Sequence, residues 1–297
     1  MTKQVATKIR RDVLGKAIGF ASKAIAPNPI VPLLSTLLFE SANGSSRVTG
    51  TNFEVGISCS FATEGGEFKT CVPAKMFVAL IDVLSTEEIE MKLNVTDQSA
   101  VIMTESSTAN IKCAPADEFP DVPRVTKSQI TMPVDQFKEM VQRVAFASSA
   151  TSEGVLSGVH LFTDGDKIIL FATDGYHVSY EDFKLKKQPI PVDIIVKGMT
   201  LEMISHTLPD EGDLKIQATE NKVMFHCGSI DILSQLLTGQ SPDHKLLKKA
   251  VGTATTSITA STIDLFRACR QLKIFTADNG KSRLDINGLI VRYSIET

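Results

Sequence analysis

Three stretches of the chain nearly repeat one another. Gln4-Val5-Ala6-Thr7 leads to Asp12-Val13-Leu14, Gln129-Ile130-Thr131-Met132 to Asp135-Gln136-Phe137, and Ser257-Ile258-Thr259-Ala260 to Asp264-Leu265-Phe266. Val5 and Ile130 are 125 residues apart and Ile130 and Ile258 are 128 apart, so the repeating unit has the size of a domain. A chain of 297 residues then holds two such units and the opening of a third. The expected limits are 1–127, 128–252 and 253–297.

A second regularity lies inside each unit. Thr49-Gly50-Thr51-Asn52-Phe53-Glu54-Val55 matches Phe171-Ala172-Thr173-Asp174-Gly175-Tyr176-His177, and Cys71-Val72-Pro73-Ala74-Lys75-Met76-Phe77 matches Ile194-Ile195-Val196-Lys197-Gly198-Met199. Val13, Leu14, Ala17, Ile18, Ala21 and Ile25 fall on one stripe at helical spacing, as do Phe137, Met140, Val141 and Val144. Strands are expected over 46–55, 101–114, 167–171 and 223–226, between turn signals such as Ala42-Asn43-Gly44 and Thr163-Asp164-Gly165-Asp166. Pro-bearing connectors at 117–123 and 241–244 separate the units. The fold class is α+β, built of hairpins and helices.

No apolar run approaches the roughly 18 residues of a membrane span, and Met1 runs directly into repeat material, so a cytoplasmic location is expected. Cys59, Cys71, Cys113, Cys227 and Cys269 are odd in number and widely spaced, as suits reduced thiols. The net charge of −3 argues against a surface coated with basic patches, yet residues 1–25 hold six basic residues against Asp12 alone. Basic elements that converge on one surface would still meet DNA.

Catalytic patterns are missing. Gly280-Lys281-Ser282 lacks the glycine of a phosphate-binding loop, since Phe275 stands there. His160, His177, His206, His226 and His244 lack metal spacing, and adjacent His226 and Cys227 would point to opposite faces of a strand. Asp174 and His177 could be read as an acid/base pair, but Asp-Gly at a strand end is first of all a turn. Neither an enzyme nor a cofactor or metal site is expected.

What remains is the wet face of the first helix of each unit, with Asp12, Lys16, Gly19 and Lys23 in the first, Glu139, Gln142, Arg143 and Phe146 in the second, and Arg267 and Arg270 in the third. Repetition would set these faces side by side.

With these residues in place, the chain resembles the bacterial sliding clamp, the beta subunit of DNA polymerase III. The resemblance rests on the run from Pro27 to Leu34, on Val48-Thr49-Gly50-Thr51-Asn52-Phe53-Glu54, Val72-Pro73-Ala74-Lys75, Ala116-Asp117-Glu118-Phe119-Pro120, the stretch from Phe171 to His177, and Gly239-Gln240-Ser241-Pro242-Asp243. It is good over residues 1–250 and thin beyond. It implies tandem clamp domains, antiparallel sheets outside and paired helices inside, closed head to tail into a homo-oligomeric ring around double-stranded DNA.

By the same resemblance, Lys16, Lys23, Lys75, Arg143, Lys197, Arg267 and Arg270 would face the bore. Leu156, Thr173, Gly175, Tyr176, His177, Val178, Pro242 and Leu247 would line a cleft that takes peptides from the DNA polymerase and the clamp loader. The implied function is a processivity factor, with a peptide-binding module that does not encircle DNA as the alternative. Departures are visible. Asn28 replaces a basic residue, Gly154 and Val155 replace a tyrosine pair, Tyr176-His177 replaces His-Arg, and the C-terminal tail that completes the cleft is missing. The opening of a third domain, with a hairpin turning at Asn287-Gly288, would leave surfaces that oligomerisation could cover.

Overall fold

The computed structural model describes residues 4–26, 28–94, 97–123, 129–151, 153–242, 259–275, 281–287 and 290–296. They fall into two compact units, 1–244 and 245–297. The expected limits at 127/128 and 252/253 lie outside the described residues.

The first unit contains the same topology twice. The first repeat runs β1 (Gln4–Arg10), α1 (Arg11–Ser22), β2 (Thr36–Ala42), β3 (Ser45–Thr51), β4 (Val55–Ala62), β5 (Glu64–Gly65), β6 (Phe68–Pro73), α2 (Ala74–Val83), β7 (Glu88–Asn94), β8 (Ser99–Met103) and β9 (Thr108–Lys112). The second runs β10 (Ile130–Pro133), α3 (Val134–Val144), β11 (Gly158–Asp164), β12 (Lys167–Thr173), β13 (Val178–Lys184), β14 (Asp193–Lys197), α4 (Gly198–Thr207), β15 (Asp213–Ala218), β16 (Lys222–Cys227) and β17 (Ile230–Gln235). Every strand pairing among the described residues is antiparallel. Because β1 runs straight into α1 and β10 into α3, Ile9 corresponds to Met132 and Thr7 to Ile130, two residues from the match of Val5 with Ile130.

Each helix pair packs on the sheets of its own repeat. Leu14, Ile18 and Ala21 of α1 and Phe77 and Ile81 of α2 meet Leu37 and Phe39 of β2 and Met91 and Leu93 of β7 in one buried cluster. Burying an aliphatic or aromatic side chain of this size is worth roughly 1.5–3 kcal/mol, so the apolar stripes hold the helices down. Arg11 extends the packing, donating from Nε to the Ile81 carbonyl at 3.0 Å and from Nη2 to the Asp82 carbonyl at 2.8 Å, where α2 leaves acceptors unpaired.

Two expected strands prove to be hairpins. The 46–55 segment breaks at Asn52, where β3 gives way to β4, and the 101–114 segment breaks between β8 and β9. At the first break Thr51 and Asn52 bind the local backbone with their own side chains, which ends the ladder. The Asn43-Gly44 and Gly165 turns form as expected, with positive φ at all three residues.

One pairing joins the repeats. β17 adds to β4, so the strand order β10-β15-β16-β17-β4-β3-β2-β6 makes one eight-stranded sheet. Ile57 and Cys59 of β4 enter one core cluster with Ile230 and Ile232 of β17, and Ala17 of α1 and Ala24 just beyond its end join them. The junction is continuous core. In the second unit α5 (Thr262–Phe275) packs beside a hairpin of β18 (Lys281–Asn287) and β19 (Ile290–Glu296). That hairpin pairs Asn287 with Ile290. Its turn, at 288–289, lies outside the described residues.

Candidate nucleic-acid and partner interfaces

The turn at 173–177 is held by its own side chains. The Thr173 hydroxyl donates to the His177 carbonyl at 2.7 Å and accepts from the Gly175 N–H at 3.1 Å. One carboxylate oxygen of Asp174 accepts from the N–H groups of Tyr176 at 2.9 Å and His177 at 2.6 Å, and the other meets the His177 imidazole at 2.9 Å. The imidazole first, then the two amides, hold the Asp174 carboxyl well below the usual carboxylate range. The pair is an element of turn structure: its carboxylate is committed to three local donors. Gly175 has φ +91°, which suits glycine.

Residues 51–55 build the same turn. Thr51 donates to the Val55 carbonyl at 2.8 Å, and Asn52 accepts from the N–H groups of Glu54 and Val55 at 3.0 and 2.8 Å. Phe53 occupies the left-handed position of Gly175, with φ +72°. The backbone of this copy is engaged from outside, although Phe53 stays 53% exposed. Gln235 donates from its N–H to the Glu54 carbonyl at 2.8 Å and from Nε2 to the Phe53 carbonyl at 2.9 Å. At 173–177 the corresponding surface is open, with Tyr176 93% and Val178 46% exposed.

The expected cleft residues are only partly gathered. Thr173, Gly175, Tyr176, His177 and Val178 lie along this one turn and the start of β13, with Thr173 buried beneath it. Leu156 sits half-buried in a short helical turn at 154–157. Pro242 lines a separate groove of 670 Å³ with His160, Phe162, Asp193 and Glu220, which contains none of the turn residues. Leu247 lies outside the described residues.

The expected DNA-facing residues divide by repeat. Lys16 on α1 and Lys75 on α2 are exposed. Lys23, also exposed, points its ammonium at the His206 carbonyl near the end of α4, 3.3 Å away, and lies 5.3 Å from the Phe20 ring. A cation at a helix C-terminus is favourable, so Lys23 ties the helix layers of the two repeats together. Arg143 on α3 is bonded to Glu181 at 2.7 Å and to Glu139 at 3.3 Å. Lys197 stands just before the first turn of α4, makes no capping bond with its side chain, and is exposed. In the second unit Arg267 lies 3.8 Å from Asp264, whereas Arg270 shares the apolar side of α5 with Phe266, Cys269 and Ile274, 5.8 Å from the Phe266 ring. In the repeat register Arg270 stands where Ile18 and Val141 are buried.

A buried ionic group at the β4·β17 junction escaped the sequence reading. Arg47 of β3 and Asp231 of β17, each 8% exposed, approach to 3.7 Å, and His226 of β16 meets Asp231 at 2.7 Å. Burial, with Asp231 adding to it and Arg47 opposing, pushes the neighbouring Cys59 thiol up to about 12. The usable signal was the apolar density of both strands, since a strand buried on both faces loses its alternation. Among the described residues no group of three or more His, Cys, Asp or Glu could hold a metal, and no helix is long and apolar enough to cross a membrane.

Comparison with known proteins decides the family. The family model for the N-terminal domain of the DNA polymerase III beta subunit matches residues 5–123, and that for its central domain matches residues 131–243. The chain belongs to the DNA polymerase III beta subunit family. The beta sliding clamp of Staphylococcus epidermidis is 25% identical over 247 residues, spanning 79% of this chain and 65% of that protein, just under two thirds of its length. The beta sliding clamp homolog GriR of Streptomyces muensis is 25% identical over 285 residues, 94% of this chain and 75% of the relative. In fold, the Bacillus subtilis DNA polymerase sliding clamp matches with a TM-score of 0.85 at 19% identity, covering 99% of this chain and 83% of that one. The clamp fold expected from the sequence, with antiparallel sheets and paired helices, is therefore present.

Proposed function

We propose that this chain acts as a sliding clamp, a non-catalytic ring of copies that surrounds duplex DNA and tethers a polymerase. The observation that carries the reading is the β4·β17 seam, which makes two repeats one continuous sheet and ties their helix layers through Lys23. A rigid arc of repeats suits enclosure, because a molecule that surrounds DNA needs only weak phosphate contact and must not grip. Lys16 and Lys75 supply such contact from the first repeat. The 173–178 surface, with Tyr176 and Val178 open beside a fixed turn, suits capture of a short peptide from a polymerase or a clamp loader. A cytoplasmic setting follows from that role.

Primer extension on a long single-stranded circle tests this, using a family polymerase and clamp loader. Longer products per binding event are expected when the chain is added, and product length unchanged at saturating protein would refute the reading.

The second repeat favours a second reading. Its helix layer exposes Asp135, Glu139 and Glu202, and its Arg143 is already paired. A peptide-binding clamp relative that leaves DNA alone would need no more. Peptide binding without any extension effect would select it.

A further inference from the structure

The connectors that leave the two repeats start alike and end differently. The Ala114 N–H donates to the Cys71 carbonyl of β6 at 2.8 Å, and the Leu237 N–H donates to the Ile195 carbonyl of β14 at 2.9 Å. The strand registers make the same match, since Leu38 of β2 pairs with Cys71 and His160 of β11 with Ile195. Aligned on Pro120-Asp121 and Pro242-Asp243, the connectors set Phe119 against Ser241. Phe119, 8% exposed, closes over Leu38, Cys71 and Ala116. At Ser241 the ring is missing, and the groove over His160 and Ile195 measures 670 Å³, against 410 Å³ for the one beside Phe119.

The charges of the lining change as well. Beside Phe119, Lys69 pairs with Glu40 at 3.2 Å, and Arg47 lines the same groove. At the places of Lys69 and Glu40 the second repeat has Asp193 and Phe162. The Asp193 side chain stays 81% exposed while it meets the His160 Nε2 at 2.6 Å, Glu220 adds a second exposed acid, and the lining holds neither lysine nor arginine. His160 and Phe162 lie side by side with ring centroids 4.5 Å apart. The His160 Nδ1 is buried and finds no hydrogen-bond partner among the described residues, which marks this wall as incomplete.

We propose that this groove binds an extended segment of a partner protein that presents an aromatic side chain flanked by lysine or arginine. The ring takes the place that Phe119 fills in the first repeat, and aromatic burial supplies the area. The sign of the flanking charge follows from the same comparison. In the first repeat Phe119 arrives with Glu118 and Asp121 on a lining that contains Arg47 and Lys69, whereas Asp193 and Glu220 would repel such a segment and accept a basic one. The volume suits several residues, because pockets of about 300–1,000 Å³ enclose whole ligands. The surface is separate from the 173–178 turn, none of whose residues line it.

The test is titration calorimetry of a Gly-Lys-Phe-Pro-Lys-Gly peptide against the full chain. Saturable binding is expected, weakened roughly tenfold or more by Ser241→Phe, which supplies the missing ring from the chain itself, and about threefold by Glu220→Lys. The urea midpoint of Ser241→Phe should equal or exceed that of the parent, which separates a filled groove from a damaged fold. No binding below about 1 mM, undiminished binding to Ser241→Phe, or equal binding of a peptide with glutamate in place of both lysines would each overturn the proposal. Equal affinity for phenethylamine would make this a small-molecule pocket and overturn the peptide occupant. Loss of binding through Tyr176→Ala in place of Ser241→Phe would assign the peptide to the 173–178 surface and overturn the groove, while primer extension judges the clamp reading separately.

Discussion

The turns at 51–55 and 173–177 have the same hydrogen bonds and opposite surroundings. The first lies under Gln235 and opens into a strand buried by β17, and the second opens into a strand whose outer edge is polar. The composition of the strands follows their company: Val55, Ile57 and Cys59 in β4 become His177, Ser179 and Glu181 in the matching positions. The turn therefore belongs to the fold, and what distinguishes the copies is whether a neighbour arrives. The helix layers differ in parallel, with free lysines on α1 and α2 against Asp135, Glu139 and Glu202 on α3 and α4.

The largest expected break in this comparison is Asp231→Ala. It removes the carboxylate beside the buried Arg47 guanidinium at the covered seam and should cost about 3–5 kcal/mol in urea unfolding, whereas Thr108→Ala, on the exposed outer strand β9, should stay within about 0.5 kcal/mol. Next comes Ile57→Ala, expected to cost about 2–5 kcal/mol through a cavity in the shared core, against a change of about 0.5 kcal/mol or less for Ser179→Ala. If both members of either pair cost alike, the two edges do not differ as described.

The smallest effect separates the turns by pH. Asp174 has a depressed folded pKa, so its contribution is fully present above the ordinary carboxylate value of about 3.9 and is lost as pH falls below it toward the folded value. Asn52 does not titrate. Amide exchange at Tyr176 and His177 should accelerate below about pH 4 beyond its intrinsic pH dependence, while Glu54 and Val55 keep their protection. Equal loss at both turns would contradict the assignment.

Much of this fold was legible in the chain. The helical stripes of Leu14 and Phe137 were local signals and both helices formed where they were expected, whereas the Thr51-Asn52 turn broke a strand expected to run through it. The seam was less so, because pairing of Ile232 with Ile57 spans well over a hundred residues and nothing near either strand names its partner. The apolar run of Ile230-Asp231-Ile232-Leu233 could mean a core strand in any sheet. Site residues were hardest. Lys23 and Arg143 read as free cations, yet one finds a helix end and the other two carboxylates, and of those partners only Glu139 is local, while His206 and Glu181 come from elements distant in sequence. Arg270 stands in the repeat register where Ile18 and Val141 are buried, yet its own side chain is exposed.

The central claim is topological, and retention on DNA addresses it most directly. The chain would be loaded by a family clamp loader onto a nicked circular duplex, and protein co-eluting with the DNA measured before and after one cut linearises the circle. The clamp reading predicts retention on the circle through a salt wash, with release on cutting because the ring slides off the ends. Retention that is unchanged by the cut, or absent from the circle despite loading of a relative's clamp in parallel, would contradict it.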